Sequence, residues 1–119
     1  MASLPDKGYV QEARVLHRFV RDRIRYVRDV RGVETLHTPL ALLQLGQGDC
    51  DDKATLLACL LESIGHKTRF AAVGFEPGRL SHVLTEARIG ARWCPMETTE
   101  PVDMGWYPPG VKSRMVIHN

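Results

Sequence analysis

Gly48-Asp49-Cys50-Asp51-Asp52-Lys53-Ala54 is the stretch from which the rest of the chain is read. An apolar run follows it: Ala54, Leu57, Ala58, Leu61 and Ile64 share one helical face, widened by Leu56 and Leu60. The spacing predicts a central helix from about Cys50 to Ile64, stopped by Gly65. Cys50 therefore falls where a loop becomes a helix. Unpaired backbone N–H groups and the helix dipole at such a point favour a thiolate. Asp51 and Asp52 fall in the first turn, where carboxylates suit the dipole. Near the sulfur, Asp49, Asp51 and Asp52 oppose a thiolate unless they act as caps pointing away.

Upstream, Thr38-Pro39 reads as an N-cap followed by proline at the first helical position, with a short helix to about Leu45. Gly46-Gln47-Gly48 then breaks the chain. It lacks the G-x-x-x-x-G-K-[ST] pattern of a phosphate loop, so its glycines are read as a bend leading into Cys50. Further back, Val10, Ala13, Leu16, Val20, Ile24 and Val27 predict an amphipathic helix from Tyr9 to Asp29. Arg14, Arg18, Arg21, Arg25 and Arg28 follow the same steps on another face. That row is either a solvated face or a contact for an anionic partner. No interleaved aromatic residues mark a stacking platform on that face, which argues against nucleic acid.

Downstream the period changes to that of strands. Thr68–Phe75, Leu80–Ile89 and Arg92–Thr98 read as strands, and Met115–His118 as a last short one. Glu76-Pro77-Gly78-Arg79 is a turn, and Gly90-Ala91 fits a two-residue hairpin. Pro95 favours an edge strand or a bulge. With that hairpin, Ile89 faces Arg92, Leu84 faces Glu97 and His82 faces Thr99. His82 and Glu97 then share a face as diagonal neighbours, roughly 7–8 Å apart at the backbone. A carboxylate there fixes the imidazole tautomer and turns the other ring nitrogen outward. Cys50 meeting that nitrogen completes a nucleophile, a base and an orienter. The oxyanion donors are sought in the Cys50 backbone N–H and the nearby amides of Gln44 and Gln47. Asp49, Asp51 and Trp93 are expected to line the pocket, and Trp106 to cover its rim or the core. His17, His37, His66 and His118 are read as surface or core residues.

The chain has 119 residues, 44% hydrophobic and 25% charged, with a net charge of +2, which bounds it to one globular domain. The charge is too mild to imply nucleic-acid binding by itself. No run is long enough for a membrane span, and the start lacks the layout of a signal peptide, so a cytoplasmic protein, or one carried without a Sec signal, is expected. Three cysteines without a C-x-x-C pair argue against both a disulfide framework and structural zinc. Cys59, inside the central helix, is read as a small buried hydrophobe. A metal site from Cys50, Asp51, Asp52 and His82 is a further alternative, but no metal or cofactor is expected.

Three blocks resemble the transglutaminase-like superfamily: Gly48–Ala54 with its helix, Ser81-His82-Val83, and Trp93-Cys94-Pro95-Met96-Glu97-Thr98-Thr99. The resemblance covers about residues 36–101. It implies an α+β, papain-like fold, with a helix bearing Cys50 packed on a three- or four-stranded antiparallel sheet. It further implies Cys50 as nucleophile, His82 as base and acid, and Glu97 as orienter, where the family usually has aspartate. The family includes proteases, amidases and transglutaminases, and compact members occur in bacteria and their phages or prophages. One domain over 1–119 is expected: 1–35 as N-terminal helix and connector, 36–101 as catalytic core, 102–119 as C-terminal loop and short strand. The expected activity is acyl transfer from a peptide or side-chain amide, more readily to water than to an amine. The alternative is a non-catalytic binding or assembly module that uses the arginine face.

Overall fold

A computed structural model describes residues 7–27 and 38–118. The elements are α1 (Lys7–Arg23), β1 (Arg25–Tyr26), α2 (Pro39–Leu45), β2 (Gln47–Gly48), α3 (Cys50–Ser63), β3 (Thr68–Gly74), β4 (His82–Ile89), β5 (Arg92–Met96) and β6 (Ser113–His118). The fold is α+β, with an antiparallel sheet in the order β5-β4-β3-β6. Helix α3 packs against β4. There the Thr85 hydroxyl donates to the Ala54 carbonyl at 2.6 Å. Ala13, Val20, Ile24, Leu42, Leu56, Leu57, Leu61, Ala87 and Met96 form the core that joins the three helices to the sheet. On the sheet's other face Ala71, Val73 and Leu84 are covered by Tyr107 and Val111.

The hairpin register is the one its turn residues dictate: Ile89 pairs with Arg92 and Arg88 with Trp93, around Gly90 at φ +63°. The ladder ends at Thr85–Met96, so Glu97 lies one step past the last pair, and His82 has no β5 partner. Helix α2 begins at Thr38, whose hydroxyl accepts from Ala41 N at 3.1 Å, and is stopped by Gly46 at φ +68°. Gly48 passes tightly against the first turn of α3. A Cβ there would stand 2.7 Å from the Asp52 Cβ. Only glycine permits that approach.

Helix α1 ends at Arg23, not Asp29, and residues 28–29 lie outside the described residues. Local periodicity continues past the true end because the cause is non-local. Arg25 N donates to Gly46 O at 2.7 Å and Val27 N to Gly48 O at 2.8 Å, making a short parallel pair with β2. Lys53, only 1% exposed, closes the helix from the far side. Its ammonium donates to Ile24 O at 2.6 Å and Arg21 O at 3.3 Å. Burial pulls the Lys53 pKa down to about 8, against the charges of Asp22 and Glu97. Lys53→Met removes both donors from buried or half-buried carbonyls and a cation from a helix C-terminus. It is expected to lower stability by about 2 kcal/mol, read from the urea midpoint. An unchanged midpoint would mean that Lys53 does not hold α1 in place.

The arginine row is broken up by the fold. Arg21 ion-pairs with Asp22 at 2.7 Å and donates to Val102 O at 2.9 Å. Arg18 reaches Asp103 at 3.5 Å. Arg14 is half-buried and Arg25 is exposed on β1, while Arg28 lies outside the described residues. Two of the five thus tie α1 to the segment after β5. Cys59 also departs from expectation: it is exposed, on the side of α3 away from the core.

Candidate active site

Cys50 is the first residue of α3, and its neighbours explain how an acid-rich segment can hold it. Asp49 is the N-cap and accepts from Asp52 N at 2.9 Å; Asp52 accepts from Asp49 N at 3.1 Å. This reciprocal capping box turns two of the three flanking carboxylates onto helix amides. Asp51 stays by the sulfur, with Oδ1 3.9 Å from Sγ. Cys50 itself is half-buried and free.

Across the cleft, His82 Nε2–H donates to Glu97 Oε2 at 2.6 Å. The other carboxylate oxygen, Oε1, accepts from Thr99 N at 3.1 Å and Thr99 Oγ1 at 2.8 Å. Glu97 is 1% exposed and fully engaged. The extra methylene of glutamate therefore leaves the contact with His82 intact. Burial disfavours a charged His82. Its hydrogen bonds to Cys50 and Glu97, and the charges of both, outweigh that and raise its pKa to about 10. Burial likewise works against ionised Glu97, but the His82 bond and charge and the two Thr99 donors bring its pKa below the ordinary carboxylate value. With Nε2 on Glu97, Nδ1 is the ring nitrogen left for Cys50.

These three side chains line a cleft of about 740 Å³. Its walls include Tyr26, Phe75 and Trp106, all with exposed surface, and its other acids are Asp49, Asp51 and Glu100. Among the described residues no lysine or arginine lines it. Asp49 and Asp51 are thus where the sequence put them, and Trp106 is on the cleft. Trp93 is not. It sits near the hairpin turn, at the far end of β4–β5, with the Arg69 guanidinium 4.4 Å from its ring centroid and His118 edge-on at 6.1 Å. Gln44 and Gln47 are exposed and do not line the cleft either, because α2 and β2 present them elsewhere. Among the described residues, Tyr26, Ser81 and Trp106 on the cleft can donate a hydrogen bond to an oxyanion, besides the Cys50 backbone, while the Thr99 hydroxyl donates to Glu97. Among the described residues no group of three or more His, Cys, Asp or Glu side chains is arranged to hold a metal ion.

Sequence reading passed over His17. It is fully buried, and its Nε2 lies 2.6 Å from the Glu97 carbonyl oxygen. Its position was the available signal. Ala13, His17, Val20 and Ile24 form one buried stripe at steps of four, three and four, and a histidine inside such a stripe needs a partner. Of the others, His66 is buried against the Tyr9 ring, His118 is exposed, and His37 lies outside the described residues.

Residues 2–98 match the family model of the transglutaminase-like superfamily, a range that takes in the N-terminal helix, the Gly48–Ala54 and Ser81–Val83 stretches, and the Trp93 stretch as far as Thr98. Among solved structures, a protein from Cytophaga hutchinsonii described as a candidate cysteine protease matches with a TM-score of 0.56 and 16% identity. The match covers 93% of this chain, which spans 40% of that structure's length, and it speaks to the fold alone. A comparison with curated proteins finds no match. No described helix is long and apolar enough to cross a membrane.

Proposed function

The chain belongs to the transglutaminase-like superfamily, and from that premise we propose that it transfers the acyl group of a peptide or side-chain amide through a thioester on Cys50, with water as the usual acceptor. The observation that carries this reading is the 2.6 Å contact between His82 and Glu97 in the same cleft as a helix-tip thiol. Sulfur attacks as thiolate, and a paired imidazolium beside a helix N-terminus favours that form. The thiolate adds to the amide carbon. The tetrahedral oxyanion is met by the Cys50 N–H and one donor from Tyr26, Ser81 or Trp106. The C–N bond then breaks as His82 passes its Nδ1 proton to the leaving amine. Water next attacks the thioester and His82 takes its proton. The acid leaves, the thiolate returns, and Glu97 holds the ring throughout. Water is the favoured acceptor because the cleft opens to solvent.

The carboxylates of Asp49, Asp51 and Glu100 on the cleft favour a basic side chain beside the scissile amide. The test is a pair of matched peptides, one with lysine and one with glutamate next to the cleaved bond. Acid-quenched mass spectrometry should find the acyl group on the Cys50 peptide and a free acid as product. The lysine peptide should react about tenfold faster at low salt, with the ratio shrinking at high salt. No acyl adduct with any amide or ester probe would refute the thioester, and a preference for the glutamate peptide would refute the charge argument.

A further inference from the structure

We propose that His17 of the N-terminal helix is a positioning residue for the acid of the site, holding the Glu97 main chain so that its carboxylate meets His82. The inference rests on the thiol reading given above but stands on its own geometry. Glu97 lies beyond the end of the β4–β5 ladder, so strand pairing does not fix it. Its carboxylate is held by Thr99 and His82. Its carbonyl is held at 2.6 Å by His17 Nε2, from a helix 80 residues away in sequence. A carbonyl only accepts, so Nε2 must carry the proton. Nδ1 is buried without a partner, as suits the neutral Nε2–H tautomer. Burial lowers the His17 pKa and keeps the ring neutral at physiological pH; its own hydrogen bond to Glu97 and the charges of Asp103 and Glu97 work the other way, and Arg21 adds to the lowering. Asp22 of the same helix also senses the ring.

The same helix is gripped at its C-terminal end by Lys53, three residues after the proposed nucleophile. One element thus touches the segment carrying the acid and the helix carrying the sulfur.

The experiment follows the His82 imidazole by NMR through a pH titration, its signal assigned by loss in His82→Gln. Wild-type His82 is expected to titrate with a midpoint of about 10. In folded His17→Leu the midpoint should fall by about one unit. His17→Gln, whose amide N–H reaches to a similar point, should restore it. His17→Met serves as a second donor-free variant if leucine does not fold. A folded donor-free variant with the wild-type midpoint overturns the proposal. The thiol reading is judged separately, by iodoacetamide at mildly acidic pH on the wild type. Cys50 should be alkylated faster than Cys59 and Cys94. If all three react alike while the His82 midpoint still moves in His17→Leu, the catalytic reading fails and the positioning contact survives.

Discussion

Cys50→Ala is expected to lower kcat/KM for a cleaved peptide by at least about a thousandfold while leaving the melting temperature within about 2 °C of wild type. The rate falls because nothing else in the cleft can form the thioester. Cys59 lies nine residues along α3, about 13.5 Å away at 1.5 Å per residue, and is exposed. Cys94 is on β5, where burial, with the Glu86 charge, raises its thiol pKa against a smaller opposing effect of Arg14. The fold tolerates the change because the capping box uses the Asp49 and Asp52 side chains and leaves that of Cys50 out. Alanine is also a good helix former at the first position. Cys50→Ser separates nucleophile from shape: it keeps a polar atom in place, but a hydroxyl is far harder to ionise than a thiol. It should stay close to the alanine variant. Retained turnover in Cys50→Ala would mean that the cleft works by chemistry without a thioester.

The features that could be read from sequence are those with a local cause. The α3 helix is written in its apolar steps and its Asp49–Asp52 cap, and the β4–β5 register in Gly90-Ala91. These two carry Cys50 and His82 to the cleft, while Glu97, one step past the ladder, is held there by its bonds to His82 and Thr99. Most of what escaped depends on contacts across the chain. The early end of α1 is set by Gly46, Gly48 and Lys53, at least 20 residues distant. Trp93 belongs to the family-like block that holds Glu97, yet pairing with Arg88 puts it by the hairpin, away from the cleft. Cys59 has hydrophobic neighbours in sequence, but helical geometry turns it outward. His17, read only as a surface or core residue, is fully buried and completes the stripe of Ala13, Val20 and Ile24. The last strand, read only as a short terminal piece, is β6, the fourth strand of the sheet against β3.

Glu97→Gln should lower the turnover of the same peptide by about a thousandfold to ten-thousandfold, and the hydrogen-bond pattern gives the reason. Thr99 donates twice to Oε1, from its backbone N–H and its hydroxyl. The glutamine carbonyl must occupy that side, which leaves the amide N–H₂ facing His82 Nε2. A donor there forces Nε2 to be the bare nitrogen and puts the neutral ring's proton on Nδ1, toward the sulfur. Such a ring cannot take the thiol proton, and an imidazolium has lost its counter-charge. The same substitution should reshape stability against pH. The folded His82 pKa lies above its unfolded value of 6.5, so its contribution is complete below about 6.5 and disappears as pH rises through about 10. Glu97 is shifted down, so its contribution is complete above its ordinary value of 4.5 and is lost as pH falls through its folded value. Both are fully present together between 4.5 and 6.5. The melting temperature of wild type should therefore exceed that of Glu97→Gln most in that window, and the gap should narrow steadily toward pH 10. Melting curves recorded by circular dichroism from pH 4 to 10 decide the matter: a gap that is flat with pH would show that the imidazole and the carboxylate are not coupled, whatever their separation.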